Sequence, residues 1–479
     1  MDKGIQAAQE ANQAGNQTVS GDYKETRRKP AGRQPNEGVD ILSTASYAAG
    51  AVQRVFPGLN QRFSALPDPR RQDFCRYSGA HIWWAGVLMY LTRAGSRNAF
   101  DGKRNSGAAA RNMGRFCGQT ADDSRFEGKP LVTCSDNVAH HLHRVDATVV
   151  QNIPTEMCAE LLKRRMFESA RIFDTWYCLI FDGTVEAHCR KGFEEDGRSG
   201  GKGGYRYRYV LQCGVLGPGN TIFPLMHEHV DMHSNEDEKE KEDCEINAFF
   251  RLAGRLKHRF PNMNFCVIGD ALFCAATVAD VCNEYKWKYV LTLKEGRQPL
   301  MWDEVCNILP MCPENSLRVW SAQDHSKGLR DFRWVENLHL GQQTCTVVLV
   351  GEQTLSETKG TLYVYATNFL ISKDRVLAII PATGRERHHI EDYFNTGKNN
   401  GIGLGHVFCA ESNASKNFFT LMQVAWILWT IICHGYLMRV FDWAARATEI
   451  ALAQAIAEGM RCHDFPVLLP QPGQIRFVT

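Results

Sequence analysis

One stretch, residues 264–294, constrains the fold more than any other part of the chain. Residues 265–268 form a short apolar run, the pattern of a strand that is buried on both faces. Residues 275–285 carry apolar side chains at helical spacing, and residues 289–293 are again apolar and partly β-branched. The stretch therefore predicts a strand, a helix and a second strand, which is typical of an α/β sheet.

Gly269 and Asp270 directly follow the first of these strands. Ligand sites in open α/β sheets form at strand ends, so an Asp at this position is placed for chemistry. The alternative is that Asp270 caps the following helix, which requires no function. Which role Asp270 has depends on whether other functional residues of the chain lie at the same edge of the sheet.

Composition excludes several classes of protein. The 479-residue chain is long enough for more than one core, and its formal net charge of +2 argues neither for nor against nucleic acid. Its 17 cysteines, an odd number without a CxxC pair, indicate a reduced, cytoplasmic protein and not a disulfide scaffold. The polar N-terminus lacks the apolar segment of a signal peptide.

The N-terminal part of the chain divides into a polar tail and a helical region. Residues 1–40 have almost no large apolar side chains, which predicts a disordered, solvated tail; a basic run leaves open an arm that contacts nucleic acid. Residues 41–168 are mostly helical in pattern, with an apolar helix at residues 82–93 and another that Ser135 could cap. Basic residues between these helices suit a DNA backbone, although soluble helical domains often have them.

Residues 169–295 show the order β-β-β-α-β-α-β. Three predicted strands come first, at residues 177–181, 205–216 and 221–230. A strong turn signal, Gly-Pro-Gly-Asn, joins the second and third strands, which indicates an antiparallel meander. An amphipathic helix at residues 244–260 leads into the stretch at residues 264–294.

This is the order of a ribonuclease H-like core, in which the first and fourth strands lie side by side. Asp182 ends the first strand and Asp270 follows the fourth. The two carboxylates would then converge on one point, where carboxylate and water ligands suit Mg²⁺ or Mn²⁺.

The chain changes character after residue 295. Residues 296–378 predict a β-rich insertion with strands at residues 317–320, 330–334, 344–350 and 361–367. Residues 379–440 return to the core, and residues 441–479 predict a C-terminal helix and an extended tail. The run at residues 418–438 is long enough to span a bilayer, but Gln423 and His434 interrupt it, so we expect a buried helix and no membrane.

A helix in the second part of the core carries Arg387 and Glu391, which are four residues apart and therefore share one face. Lys398 lies two turns further on, in the last turn or in the loop after it. An ordinary i,i+4 salt bridge between Arg387 and Glu391 would explain their spacing without any function.

Three carboxylates, Asp182, Asp270 and Glu391, thus come from two strand ends and a helix. Such a set can hold two Mg²⁺ or Mn²⁺ ions about 4 Å apart. One ion helps to deprotonate a water or a 3′-hydroxyl, and the other stabilises the leaving oxygen of a displacement at phosphorus.

The chain resembles the DDE transposases of bacterial insertion sequences, in particular the group with a β-rich insertion before the catalytic Glu. The residues that carry the resemblance are FDGT at 181–184, GDALF at 269–273, and the spacing R-x3-E-x6-K at Arg387, Glu391 and Lys398. The group usually has a Tyr three residues before the Arg, and this chain has Gly384 there.

The resemblance implies a fold, an activity and partners. Asp182, Asp270 and Glu391 would bind two metal ions, and Arg387 and Lys398 would contact DNA phosphates. The protein would cleave double-stranded DNA at terminal inverted repeats and join the ends to target DNA, as a homodimer on DNA, cytoplasmic and nucleoid-associated when acting. A nuclease on the same fold without strand transfer, and a DNA-binding derivative without catalysis, are the alternatives.

Further candidates lie outside these motifs. Arg206 and Arg208 alternate with tyrosines and so share one strand face, where they could bind DNA phosphates or form cross-strand ion pairs. Trp320 and Trp334 of the insertion could stack on a flipped base, although packing in the insertion's own core is the favoured interpretation.

Overall fold

The computed structural model describes residues 41–118, 132–193, 197–199, 204–230, 244–320, 328–353, 360–437 and 447–470, with residues 440, 441 and 444. The protein is mixed α/β, with a helical N-terminal region, a central mixed sheet that contains parallel strands, and a helical C-terminal region. The predicted tail at residues 1–40 and the chain after residue 470 lie outside the described residues.

The helices are α1 (Ile41–Val55), α2 (Leu59–Ala65), α3 (Gly79–Leu91), α4 (Arg97–Lys103), α5 (Gly107–Cys117), α6 (Ser135–Arg144), α7 (Ala147–Val150), α8 (Asn152–Lys163), α9 (Glu245–Arg259), α10 (Ala276–Glu284), α11 (Pro299–Ile308), α12 (Lys373–Ile379), α13 (His388–Asn399), α14 (Ser412–Ile432) and α15 (Glu449–Cys462). The strands are β1 (Tyr177–Cys189), β2 (Arg198–Ser199), β3 (Arg206–Leu216), β4 (Ile222–His229), β5 (Phe265–Gly269), β6 (Lys288–Thr292), β7 (Ser316–Trp320), β8 (Leu329–Leu340), β9 (Gln343–Gln353) and β10 (Thr361–Thr367).

The chain forms two compact units, and the larger one spans residues 39–269, 285–287 and 385–479. In this unit β3 is antiparallel to β1 on one side and to β4 on the other, which confirms the predicted meander. β1 is parallel to β5, with Ile180 opposite Ile268, so the predicted first and fourth strands are neighbours. Both strands are apolar and fully buried at this point, as strands covered on both faces must be.

The predicted end of the first strand was wrong. β1 continues through Asp182 to Cys189, because β3 pairs with it along this whole length, with a bulge between Val185 and Ala187. The parallel pairing with β5, in contrast, ends at Ile180. Asp182 therefore lies within β1, just past the end of its parallel neighbour.

α14 is the central helix of the larger unit and packs on α3, α6 and β4. A Cβ on Gly86 of α3 would lie 2.5 Å from the Leu421 side chain, so the two helices approach closely. Among the described residues, the segment Ser412–Leu437 alone is long and apolar enough to span a membrane, and 89% of its apolar window is buried. A buried helix was the favoured prediction.

The predicted capping role of Ser135 was wrong. Ser135 is the first residue of α6 and Cys134 stands at the N-cap. The Ser135 hydroxyl instead donates a hydrogen bond of 2.6 Å to Asp101 in α4.

The smaller unit includes residues 270–284 and 288–384. Its strands run in the order β6, β10, β9, β8, β7, and each neighbouring pair is antiparallel. The four strands that the sequence predicts in the insertion are present, but α11 was not predicted. Trp334 is buried in this unit, as the favoured interpretation predicted, but Trp320 is 68% exposed, so that interpretation was wrong for Trp320.

Candidate active site

Asp182 contacts the start of α13 within the larger unit. Its Oδ1 accepts a hydrogen bond of 3.0 Å from the Gly183 amide, and its Oδ2 lies 3.9 Å from Nη1 of Arg387. The Asp182 side chain is 20% exposed, so solvent and a ligand can reach it.

Arg387 also forms a salt bridge with Glu391 through its Nη2. A short 3-10 turn, Gly384–Arg387, leads into α13 and sets Arg387 one helical turn before Glu391. The predicted i,i+4 pair is therefore present, but it is not the whole arrangement. One guanidinium contacts both Asp182 and Glu391, which brings together two carboxylates that are far apart in the sequence.

Asp270 begins the smaller unit, directly after Gly269 of β5. Its Oδ1 accepts a hydrogen bond of 2.8 Å from the Leu272 amide, so it stabilises the turn that follows the strand. α10 begins only at Ala276, so Asp270 does not cap it, and that alternative was wrong. Asp270 is two residues beyond Ile268, as Asp182 is two residues beyond Ile180.

The donor set fits a hard divalent cation. Within the larger unit, Asp182 and Glu391 offer only carboxylate oxygens, and these are the ligands that Mg²⁺ and Mn²⁺ prefer. Asp182 and Glu391 both face a positive charge, that of Arg387. The same carboxylates can therefore balance a cation at this position.

Arg208 is not available to DNA phosphates. Its side chain is fully buried and its Nε lies 3.4 Å from Oε2 of Glu186 in β1, so the ion pair that the sequence left open is present. Glu186 also accepts a hydrogen bond of 2.8 Å from Ser415 and lies 3.1 Å from Nδ1 of His229. Burial acts to raise the pKa of Glu186, but Arg208 and His229 together hold this pKa well below its ordinary value.

Arg206 is half-buried, and its Nη1 donates a hydrogen bond of 3.2 Å to the Phe193 carbonyl. It lies at the end of β3 that pairs with Cys189. The two arginines therefore differ in their surroundings, although they alternate on the same strand.

A groove of about 840 Å³ lies beside β1 and is the main feature that sequence reasoning missed. The residues that line it come from β1, from β3 and the residue before it, from α13 and from the loop after α13: Val185, His188, Tyr205, Tyr207, Tyr209, Lys398, Leu404 and Gly405. The signal was the Tyr-x-Tyr-x-Tyr alternation at residues 205–209, which in an extended chain places all three rings on one face.

Gly183 connects this groove to Asp182. A Cβ on Gly183 would lie 2.2 Å from the Tyr209 hydroxyl oxygen, so Tyr209 occupies the space that a side chain would need. The Tyr209 hydroxyl donates a hydrogen bond of 3.0 Å to Glu245, which holds the ring there. The Gly of the FDGT motif is thus required by packing.

Lys398 lies in the last turn of α13 and lines the groove, as one of the two predicted positions for this residue. The loop that follows α13 is fixed on β1, because the Gly405 amide donates a hydrogen bond of 2.8 Å to the Glu186 carbonyl. α13 therefore runs from the pair of carboxylates to the tyrosine groove.

Gly384, which stands where the resembling group usually has a Tyr, is buried in the smaller unit. A Cβ there would lie 2.5 Å from the ring of Tyr365 in β10. An aromatic ring from another element thus fills the space next to Gly384.

Comparison with other proteins adds no assignment. No protein-family model matches the chain, and no curated protein matches it significantly. The interpretation of the site therefore depends on its geometry and on the sequence motifs.

Proposed function

We propose that this protein is a DDE transposase that cleaves DNA at transposon ends and joins them to target DNA. The observation that carries the proposal is the contact of Arg387 with both Asp182 and Glu391. These residues belong to two separate motifs of the resemblance, FDGT and R-x3-E-x6-K. A surface salt bridge alone would not require the second carboxylate.

The strand arrangement supports a ribonuclease H-like core. β4, β3 and β1 form the antiparallel meander, and β5 lies parallel to β1. In this architecture Asp182 and Asp270 would belong to one site, and each follows its paired isoleucine, Ile180 or Ile268, by two residues.

Asp182, Asp270 and Glu391 would hold two Mg²⁺ or Mn²⁺ ions. When bound, such ions activate a water or 3′-hydroxyl and stabilise the leaving oxygen. Arg387 neutralises the carboxylates in the absence of substrate and offers its guanidinium to a DNA phosphate.

Lys398 and the tyrosine groove provide a surface for the DNA strand next to the cleaved bond. The Lys398 ammonium suits a phosphate, and aromatic rings stack on bases without regard to sequence. Terminal inverted repeats would be recognised by the helical N-terminal region, and joining two ends implies a dimer on DNA in the cytoplasm.

The experiment is cleavage and joining on labelled DNA that carries the inverted repeats flanking the protein's own coding sequence. With Mg²⁺, we expect nicking and strand joining by the wild type and neither by Asp270→Asn. Cleavage without joining would identify the nuclease instead. Binding to the ends without cleavage in either protein, under Mg²⁺ or Mn²⁺, would leave the non-catalytic DNA-binding derivative.

A further inference from the structure

Four side chains at the start of α13 form a cluster that the proposed DNA chemistry does not use. They are Glu386, His388, His389 and Asp392, which we call the histidine cluster. His388 and Asp392 are 56% and 65% exposed, so an ion can reach them from solvent. The cluster offers imidazole nitrogens, in contrast to the all-oxygen set of Asp182 and Glu391.

One nitrogen of each imidazole lies close to an oxygen atom of another residue. His388 Nδ1 lies 2.6 Å from the Arg385 carbonyl oxygen, and His389 Nε2 lies 2.8 Å from Oε2 of Glu386. The Arg385 carbonyl can only accept, so His388 Nδ1 carries the hydrogen, and the negative charge of Glu386 favours the tautomer with the hydrogen on His389 Nε2. In the neutral rings, the lone pairs are then on His388 Nε2 and His389 Nδ1.

These two remaining nitrogens face the same carboxylate oxygen. Oδ2 of Asp392 lies 3.9 Å from His388 Nε2 and 3.7 Å from His389 Nδ1. A tetrahedral ion with bonds of about 2.0–2.1 Å separates its ligand atoms by roughly 3.3 Å. The two distances to Oδ2 therefore need to close by only about 0.4–0.6 Å, and the candidate ligand atoms all lie within 4.8 Å of one another.

We propose that the histidine cluster binds a divalent ion of the Zn²⁺ class through His388, His389 and Asp392. Imidazole and carboxylate ligands suit Zn²⁺, and three protein ligands leave a fourth position for water. Glu386 is a positioning residue, since a carboxylate on the outer nitrogen of a ligating His fixes its tautomer and orientation. Exposed His–Asp ion pairs alone would contribute little and would not require both outer nitrogens to be fixed.

The position of the cluster gives the ion a structural consequence. Glu386 lies in the 3-10 turn, and the three ligands lie in the first two turns of α13, between and beside Arg387 and Glu391. A bound ion would link the first two turns of α13, and the contact of His389 with Glu386 would connect it to the preceding 3-10 turn. We therefore expect Zn²⁺ to raise the melting temperature of the wild-type chain.

The test is equilibrium dialysis of the reduced, metal-free, full-length chain against Zn²⁺, without DNA or Mg²⁺. Because the 17 cysteines can also bind zinc, the readout is the difference between matched proteins. We expect the double variant His388→Ala/His389→Ala to bind one ion fewer than the wild type. His140→Ala, which removes an exposed His from α6, is the control and should bind as the wild type does.

Two further variants protect the test from a folding defect. Asp392→Ala alters a single exposed side chain and should also remove one ion, while Glu386→Ala should weaken binding about 10–100-fold. Circular dichroism checks that each variant is folded. If the double variant and Asp392→Ala both bind as many ions as the wild type, with the same affinity, the proposal is overturned. The zinc-binding measurements do not test the proposed transposase activity, because no DNA is present.

Discussion

The ion pair between Glu186 and Arg208 makes a quantitative prediction about the core next to the candidate site. The Arg208 side chain is 0% exposed and the Glu186 side chain 3% exposed. Glu186 also contacts His229 in β4 and Ser415 in α14, so its charge joins β1 to three other elements. The change we consider is Glu186→Gln, which preserves the shape of the side chain and removes the charge.

Removing one partner leaves the other charge buried without compensation, which typically destabilises a protein by about 3–5 kcal/mol. We expect this loss in the free energy of unfolding for Glu186→Gln and for Arg208→Gln. The double variant should lose less than the sum of the two, because no unpaired charge remains. Arg206→Gln, which removes one half-buried hydrogen-bond donor, should lose only about 0.5–1.5 kcal/mol.

The assay is urea unfolding followed by tryptophan fluorescence, with DNA affinity measured separately on the folded proteins. A buried structural role predicts a large shift of the unfolding midpoint for Arg208→Gln. An unchanged midpoint together with weaker DNA binding would refute this reasoning and restore Arg208 as a residue that binds phosphates.

Three further predictions concern pH, packing and DNA binding. Burial lowers the pKa of His81 from 6.5 to about 3, and its Nε2 accepts a hydrogen bond from the Thr133 amide. The neutral ring therefore contributes its full stability above pH 6.5, and the free energy of unfolding falls by about 2 kcal/mol as the pH is lowered to 5. Urea unfolding at the two pH values should show that His81→Gln lacks this loss. Gly183→Ala should destabilise the protein by about 1–3 kcal/mol in the same assay, because its methyl group displaces Tyr209 from Glu245. Lys398→Ala should weaken binding to DNA of any sequence and reduce the slope of log K against log[salt] by about 1.

Each of these has a control and a contradicting result. His140→Gln, on the surface of α6, should leave the pH dependence of stability unchanged; an identical pH dependence in His81→Gln and the wild type would contradict the first prediction. For the second, Tyr209→Ala should remove most of the additional loss caused by Gly183→Ala, and simple additivity would contradict the packing explanation. For the third, an unchanged salt slope would show that Lys398 contacts no phosphate.

Local patterns predicted much of the fold. The apolar run of β5, the helical spacing of α10 and the apolar run of β6 are properties of contiguous residues. The predicted bounds of these elements differ from the observed ones by no more than one residue. The end of β1 was predicted wrongly because residues after Asp182 are mixed in polarity and join the strand only through pairing with β3. Helix α11 was missed because its ten residues, which begin with a Pro, are too few to establish a helical periodicity.

The candidate site was predictable only in part. Spacing alone indicated the pair of Arg387 and Glu391, because residues four apart share a helix face. The contact of Arg387 with Asp182 depends on how β1 and α13 pack, and no local pattern gives that. The burial of Arg208 likewise depends on residues from other elements: Glu186 of β1 pairs with it, and the Ser415 hydroxyl of α14 contacts the same carboxylate.

The most direct test of the central claim compares carboxylate variants in one DNA cleavage and joining assay with Mg²⁺. We expect Asp182→Asn, Asp270→Asn and Glu391→Gln each to lose at least about 100-fold in rate, since metal ions contribute several kcal/mol to such reactions. Glu284→Gln, which alters an exposed carboxylate at the end of α10, should retain the wild-type rate. Full activity of Asp182→Asn or Glu391→Gln would contradict the claim that these carboxylates form the active site.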